Sequence, residues 1–103
     1  MEKLISETMQ IARERFMAFG FKETQIEQLL ESGKRDLEKE ISKLSQLIGE
    51  DELNFQEINQ SLHAIKGLLY NMGNMDAGDI MVDLRNNIEN KESISKIKTL
   101  IGV

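Results

Sequence analysis

The chain has 103 residues, a mass of 11.8 kDa and eighteen acidic against thirteen basic residues, for a formal charge of -5 and an isoelectric point near 4.9. An acidic chain of this length has room for one domain, taken here as residues 1–103, and opposes rather than neutralises the phosphates of a nucleic acid. Cysteine is absent and histidine occurs once, so thiolate chemistry, disulfides and a zinc site built on two imidazoles are all excluded.

Proline and tryptophan are absent and aromatic residues are few, while Leu, Ile, Glu, Lys, Gln and Met abound, a composition that favours helix over sheet. A first helix is expected from about Lys3 to Phe19, with Ile5, Met9, Ala12 and Phe16 on one face and Gly20 ending it. Thr24 and Glu27 have the spacing of a capping box and are expected to open a second helix. Its apolar stripe reads Ile26, Leu30, Gly33, Leu37, Ile41, Leu44 and Ile48 and stops near Gly49. Some 25 residues at 1.5 Å each make about 37 Å. Gly33 lies on that stripe and invites close approach by a neighbour, whereas the charges from Lys34 to Glu40 alternate in sign and suggest a solvated, salt-bridged face.

Asn54 and Glu57 open a third helix that ends at Gly73, a residue suited to a left-handed terminus. Asp76 is expected to cap a fourth helix carrying Ile80, Met81, Leu84 and Ile88, and Asn90 a fifth carrying Ile94, Ile97 and Leu100 or Ile101. Met9, Met72 and Met81 fall at core spacing and read as gap-filling side chains. Short links between successive amphipathic helices imply an all-α fold: an antiparallel four-helix bundle over residues 24–101, with an additional N-terminal helix over 1–20 packed across it. No apolar run reaches the ~18 residues of a membrane span, and the opening residues lead into no signal-peptide core, so the expected compartment is the cytoplasm.

The third helix carries the functional signal. Phe55, Ile58, Leu62, Ile65, Leu69 and Met72 step by three and four without a gap, so its buried face is well defined. At about 100° per residue, His63 points about 130° from the centre of that stripe, toward solvent. Asn59 and Gln60 lie one turn before it on the same side, Lys66 and Gly67 one turn after, and Tyr70 and Asn71 two turns after. A lone histidine on a solvent face is most often an ordinary surface residue, but these neighbours set this one apart. A glycine inside an exposed helical face costs roughly 1 kcal/mol relative to alanine, and beside an imidazole its use is to leave space for a bulky substituent or another surface. Lys66 brings an ammonium within reach of the same ring, where it opposes a second positive charge and attracts a phosphoryl group.

His63-Ala64-Ile65-Lys66-Gly67, with a second glycine, Gly73, seven positions after the lysine, resembles the signature of histidine phosphotransfer (HPt) domains. The likeness extends over nearly the whole chain, because that family's fold is an antiparallel four-helix bundle with an added N-terminal helix and its motif lies on the second bundle helix. The resemblance implies a phosphohistidine carrier in a multistep His-Asp phosphorelay, as used in two-component signal transduction. His63 would be the phosphoacceptor, Lys66 its electrostatic support and Gly67 the small residue giving access. The polar residues Asn59, Gln60, Tyr70 and Asn71 are candidates for the partner footprint. The implied partners are receiver domains of response regulators or of a hybrid histidine kinase, neither nucleic acid nor membrane being involved, with the carrier itself a monomer. No cofactor is expected on this chain; the magnesium ion and the aspartate belong to the receiver. Two positions depart from the pattern: Ala77 stands where the family usually has leucine, and Leu84-Arg85 where an acidic residue usually follows leucine.

No GxxxxGK[ST] loop is present, so the chain is not expected to be an enzyme that phosphorylates itself from ATP. One alternative is the dimerisation and phosphoacceptor domain of a histidine kinase. That motif carries an acidic residue after the histidine and a proline five positions after it, where this chain has Ala64 and Leu68. The other alternative is a non-catalytic helical adaptor in which His63 is incidental.

Overall fold

Seven apolar positions at helical spacing require one long helix between Ile26 and Ile48, and α2 runs over Glu23–Ile48 in the computed structural model, which describes residues 2–102. Every residue of its stripe is buried except Gly33, which is half-buried. Around α2 stand α1 (Glu2–Ala18), α3 (Phe55–Asn71), α4 (Met75–Asn86) and α5 (Lys91–Ile101); no strand occurs among the described residues. α1, α3 and α5 each pack against α2, and α4 packs against α3, giving an all-helical bundle about 46 Å long and 20 Å across. None of these helices is long and apolar enough to cross a membrane.

The core follows the expected faces. Ile58, Leu62, Ile65 and Leu69 of α3 are almost wholly buried, with Met72 just beyond the helix end and Phe55 packed at its start. Ile5 and Ala12 of α1 are buried and Met9 and Phe16 pack at the core's edge, while Ile97 and Ile101 anchor α5. Gly33 receives the neighbour its position invited: a Cβ there would lie 2.8 Å from the Met72 sulfur at the end of α3.

The helix ends explain how successive helices reverse. At the end of α1, the Phe21 amide bonds the Phe16 carbonyl and the Gly20 amide bonds the Met17 carbonyl, with Gly20 at φ +83°. These two bonds form a Schellman motif, and its usual hydrophobic contact is the edge-on packing of Phe16 and Phe21, whose centroids lie 5.8 Å apart. The same pair of bonds closes α3, from Asn74 to Leu69 and from Gly73 to Tyr70, with Gly73 at φ +91°. A side chain at Gly73 would be strained and would also meet the Arg15 stem of α1, 2.7 Å from the added carbon.

Four expectations are corrected. α2 begins at Glu23, one residue before Thr24, because the Lys22 amide is held by the Gln25 side chain at 3.0 Å. Glu27 is occupied elsewhere: Arg13 of α1 bonds Glu27 at 2.7 Å and Glu23 at 2.9 Å, fastening α1 to the first turns of α2. This pairing holds the Glu27 carboxyl below its ordinary range, through the Arg13 hydrogen bond first and its charge second. α4 is capped by Asn74, whose Oδ1 accepts from the Ala77 amide, because the left-handed Gly73 delivers Asn74 directly over that amide. Asp76 instead lies in the first turn, where its charge suits the helix dipole. Ile80 is 48% exposed, since the buried face of α4 is set by Ala77, Met81 and Leu84. The Lys34–Glu40 stretch is exposed apart from buried Leu37 and half-buried Glu40, but it forms no ion pair; Arg13 makes the ion pairs found among the described residues. Asn54 and Asn90 cap α3 and α5 as expected.

Candidate functional site

His63 stands in the middle of α3 with its side chain exposed, the direction its offset from the buried stripe requires. Ile58, Leu62 and Ile65 anchor the opposite face of the same turns in the core, so the imidazole is presented on a rigid helix and not on a loop. Gly67 sits one turn further on, and a Cβ built there meets nothing within 4 Å. The space beside the ring is therefore open, and no tertiary packing demands a glycine. Gly67→Ala is expected to raise stability by about 0.5–1 kcal/mol through helix propensity alone, seen as a higher midpoint in thermal or urea unfolding. A lower midpoint would show that the backbone itself needs glycine.

Lys66 is half-buried and Asn59 is half-buried, whereas Gln60 and Asn71 are exposed. Tyr70 is used within the chain. Its ring lies against Gly78 of α4, leaving no room for a Cβ there, and its hydroxyl donates to Asp79 Oδ1 at 2.6 Å. Of the four footprint candidates, Tyr70 is thus half-buried and engaged by α4.

The hydrogen bond to Asp79, then desolvation, then the charges of Asp79 and Asp83 push the Tyr70 hydroxyl above its ordinary range. A raised value in the folded state means that the bond's contribution is complete below the ordinary tyrosine pKa of about 10 and is lost as pH rises through the raised value. Tyr70→Phe should therefore be less stable than wild type near neutrality, the difference closing above about pH 10. Urea titrations at a series of alkaline pH values measure this; a constant difference would mean that the hydroxyl does not titrate with unfolding.

Sequence reasoning missed one member of the site. Arg85 reaches across from α4 and places Nη1 3.3 Å from His63 Nδ1. The hairpin explains the meeting. Tyr70 and Gly78 each lie four residues from Asn74, and His63 and Arg85 each lie eleven residues from it, three helical turns along either arm. That symmetry about the turn was the available signal, but it needs the turn to be centred on Asn74 rather than Asp76.

Neither Lys66 nor Arg85 has a carboxylate partner within 4.0 Å among the described residues, so the cation bonded to the ring and the one three residues further along α3 are both unpaired in a chain of net charge -5. Nε2 has no hydrogen-bond partner among the described residues, and Asn59 Oδ1 and Arg85 Nε are buried polar atoms without one. The arrangement offers an accessible ring nitrogen, open space beside it and positive charge around it. No group of three or more His, Asp or Glu side chains among the described residues is arranged to hold a metal ion. Comparison with known protein families, characterised proteins and solved structures finds no match for this chain.

Proposed function

We propose that this protein is a phosphohistidine carrier of a His-Asp phosphorelay, with α2 to α5 as its four-helix antiparallel bundle and α1 as the added N-terminal helix. The observation that carries the reading is the exposed His63 ring, with Nε2 unengaged, Gly67 leaving free space one turn away and Lys66 and Arg85 unpaired beside it. A phosphoryl group is a dianion, and two cations with no competing carboxylate favour its arrival and residence.

Phosphoryl transfer proceeds through a loose transition state in which positioning and charge stabilisation do most of the catalysis. A carrier therefore needs little machinery of its own. The lone pair of His63 Nε2 forms the N–P bond while the P–O bond of a receiver's aspartyl phosphate breaks, its electrons returning to the aspartate carboxylate. The reverse step delivers the group to the aspartate of another receiver. The receiver supplies the magnesium ion and the carboxylate; Lys66 supplies charge, and Gly67 the clearance for the receiver's surface.

The test is a phosphotransfer assay with purified protein and a panel of phosphorylated receiver domains. Label that is acid-labile and base-stable supports a phosphohistidine carrier, and its donors identify the partners. In that assay Gly67→Ala should take label more slowly than wild type despite its greater stability. Folded wild-type protein that takes label from no donor would favour the adaptor reading.

A further inference from the structure

We propose that Arg85 is a positioning residue that sets the protonation pattern of the His63 ring, holding free His63 as the Nε2–H form and, on the carrier reading above, capping Nδ1 once phosphate is attached. The guanidinium has five N–H donors and no acceptor, so a bond from Arg85 Nη1 to His63 Nδ1 requires a lone pair on Nδ1. In the neutral ring the proton then resides on Nε2. Nε2 in that form has no free lone pair, so the nitrogen exposed to a donor is blocked and the nucleophilic one is covered.

Attack from Nε2 requires Arg85 to withdraw, Nδ1 to take a proton from water and Nε2 to release its own. The Nε2 lone pair then forms the N–P bond as the donor's P–O bond breaks and its electron pair goes to the donor carboxylate. The resulting ring cation loses the Nδ1 proton to water. Nδ1 again carries a lone pair, and the Arg85 bond re-forms. The contact is thus compatible with the resting ring and with the phosphorylated ring, and incompatible with the attacking ring between them. Cleavage of the N–P bond needs a proton on Nδ1 so that a neutral imidazole leaves. Arg85 occupies that lone pair, and a docked receiver has to displace it before the group moves on.

The position of Arg85 is built rather than incidental. It lies on the same side of the hairpin as the Tyr70–Gly78 contact, three turns from the turn residue Asn74 as His63 is, and its Nε is buried. Lys66, the other cation at the ring, is on α3 and has no bond to Nδ1. The two cations are therefore separable: Lys66 acts by charge, and Arg85 by a directed hydrogen bond.

The experiment uses the full chain labelled with nitrogen-15 in the histidine ring, as wild type, Arg85→Met and Lys66→Met. Methionine retains an apolar stem at position 85, and circular dichroism confirms folding of each variant. At mildly alkaline pH, the ring nitrogen shifts should report the Nε2–H form alone in wild type and Lys66→Met, and a mixture of both neutral forms in Arg85→Met. A mixture in wild type, or the same ratio in wild type and Arg85→Met, overturns the proposal. This measurement needs no phosphorylation, so it decides Arg85's hold on the ring even if the carrier reading fails. With phosphoramidate as the donor, phosphorylated Arg85→Met should lose its phosphate at neutral pH about tenfold faster than wild type, the scale of one charge-assisted hydrogen bond. An unchanged or longer lifetime overturns the capping of Nδ1.

Discussion

His63→Gln is expected to abolish phosphoryl acceptance while leaving the bundle folded. The side chain is exposed, and the tertiary hydrogen bond it makes is the one to Arg85. Glutamine preserves helix propensity and offers an amide oxygen to the Arg85 guanidinium, so stability should change by no more than about 0.5 kcal/mol. What it lacks is a ring nitrogen whose lone pair can form and release an N–P bond. The assay is direct: wild type and variant are incubated with the same phosphorylated receivers, and receiver binding is measured in parallel by calorimetry. Loss of label with retained binding is the expected result. Label on the variant equal to that on wild type would place the phosphate elsewhere and end the carrier reading.

Among the polar side chains, the largest stability effect is expected at Asn74. Its Oδ1 accepts from the Ala77 amide at the start of α4, and its Nδ2 donates to Thr8 Oγ1 at 2.8 Å in α1. Thr8 is fully buried and donates its own hydroxyl hydrogen bond to the Leu4 carbonyl at 2.7 Å, so one carboxamide joins the α3–α4 turn to the first helix. Asn74→Ala removes the helix cap to Ala77, worth ~1 kcal/mol, and strips a buried partner from Thr8, worth about 1 kcal/mol more. The sum, about 2 kcal/mol, lowers the melting temperature of a chain this size by roughly 10 °C. Asn74→Asp keeps the capping oxygen and loses the donor to Thr8, and should fall between the two. A shift of only a few degrees for Asn74→Ala would show that water replaces both bonds.

Most of the fold was readable because α2 and α3 carry unbroken apolar stripes, and a stripe of that length leaves one way to bury a helix. The outward direction of His63 followed from the same periodicity. Helix starts were harder. Thr24 and Asp76 are competent caps by residue type, yet Gln25 and Asn74 do the work, because the preceding turn decides which side chain hangs over the free amides. Ile80 is one of the apolar residues expected along α4, but the face of α4 is fixed by its contact with α3, and Ile80 falls outside it. In the sequence Arg85 is only a departure from a family pattern. Its role depends on which residues face each other across a hairpin, and that pairing is a property of two helices that neither one's periodicity contains.

The bond between Thr8 and Asn74 spans 66 residues of chain, whereas the α3–α4 hairpin closes over a few turns on either side of Asn74. Contacts close in sequence form before those that must first close a long loop. The hairpin bearing His63 is thus an early-forming part of this protein, and the Thr8–Asn74 bond is a late one. Openings that break this long-range bond can spare the hairpin, so in amide hydrogen exchange the helix presenting the imidazole should keep its order while the tie to α1 comes and goes.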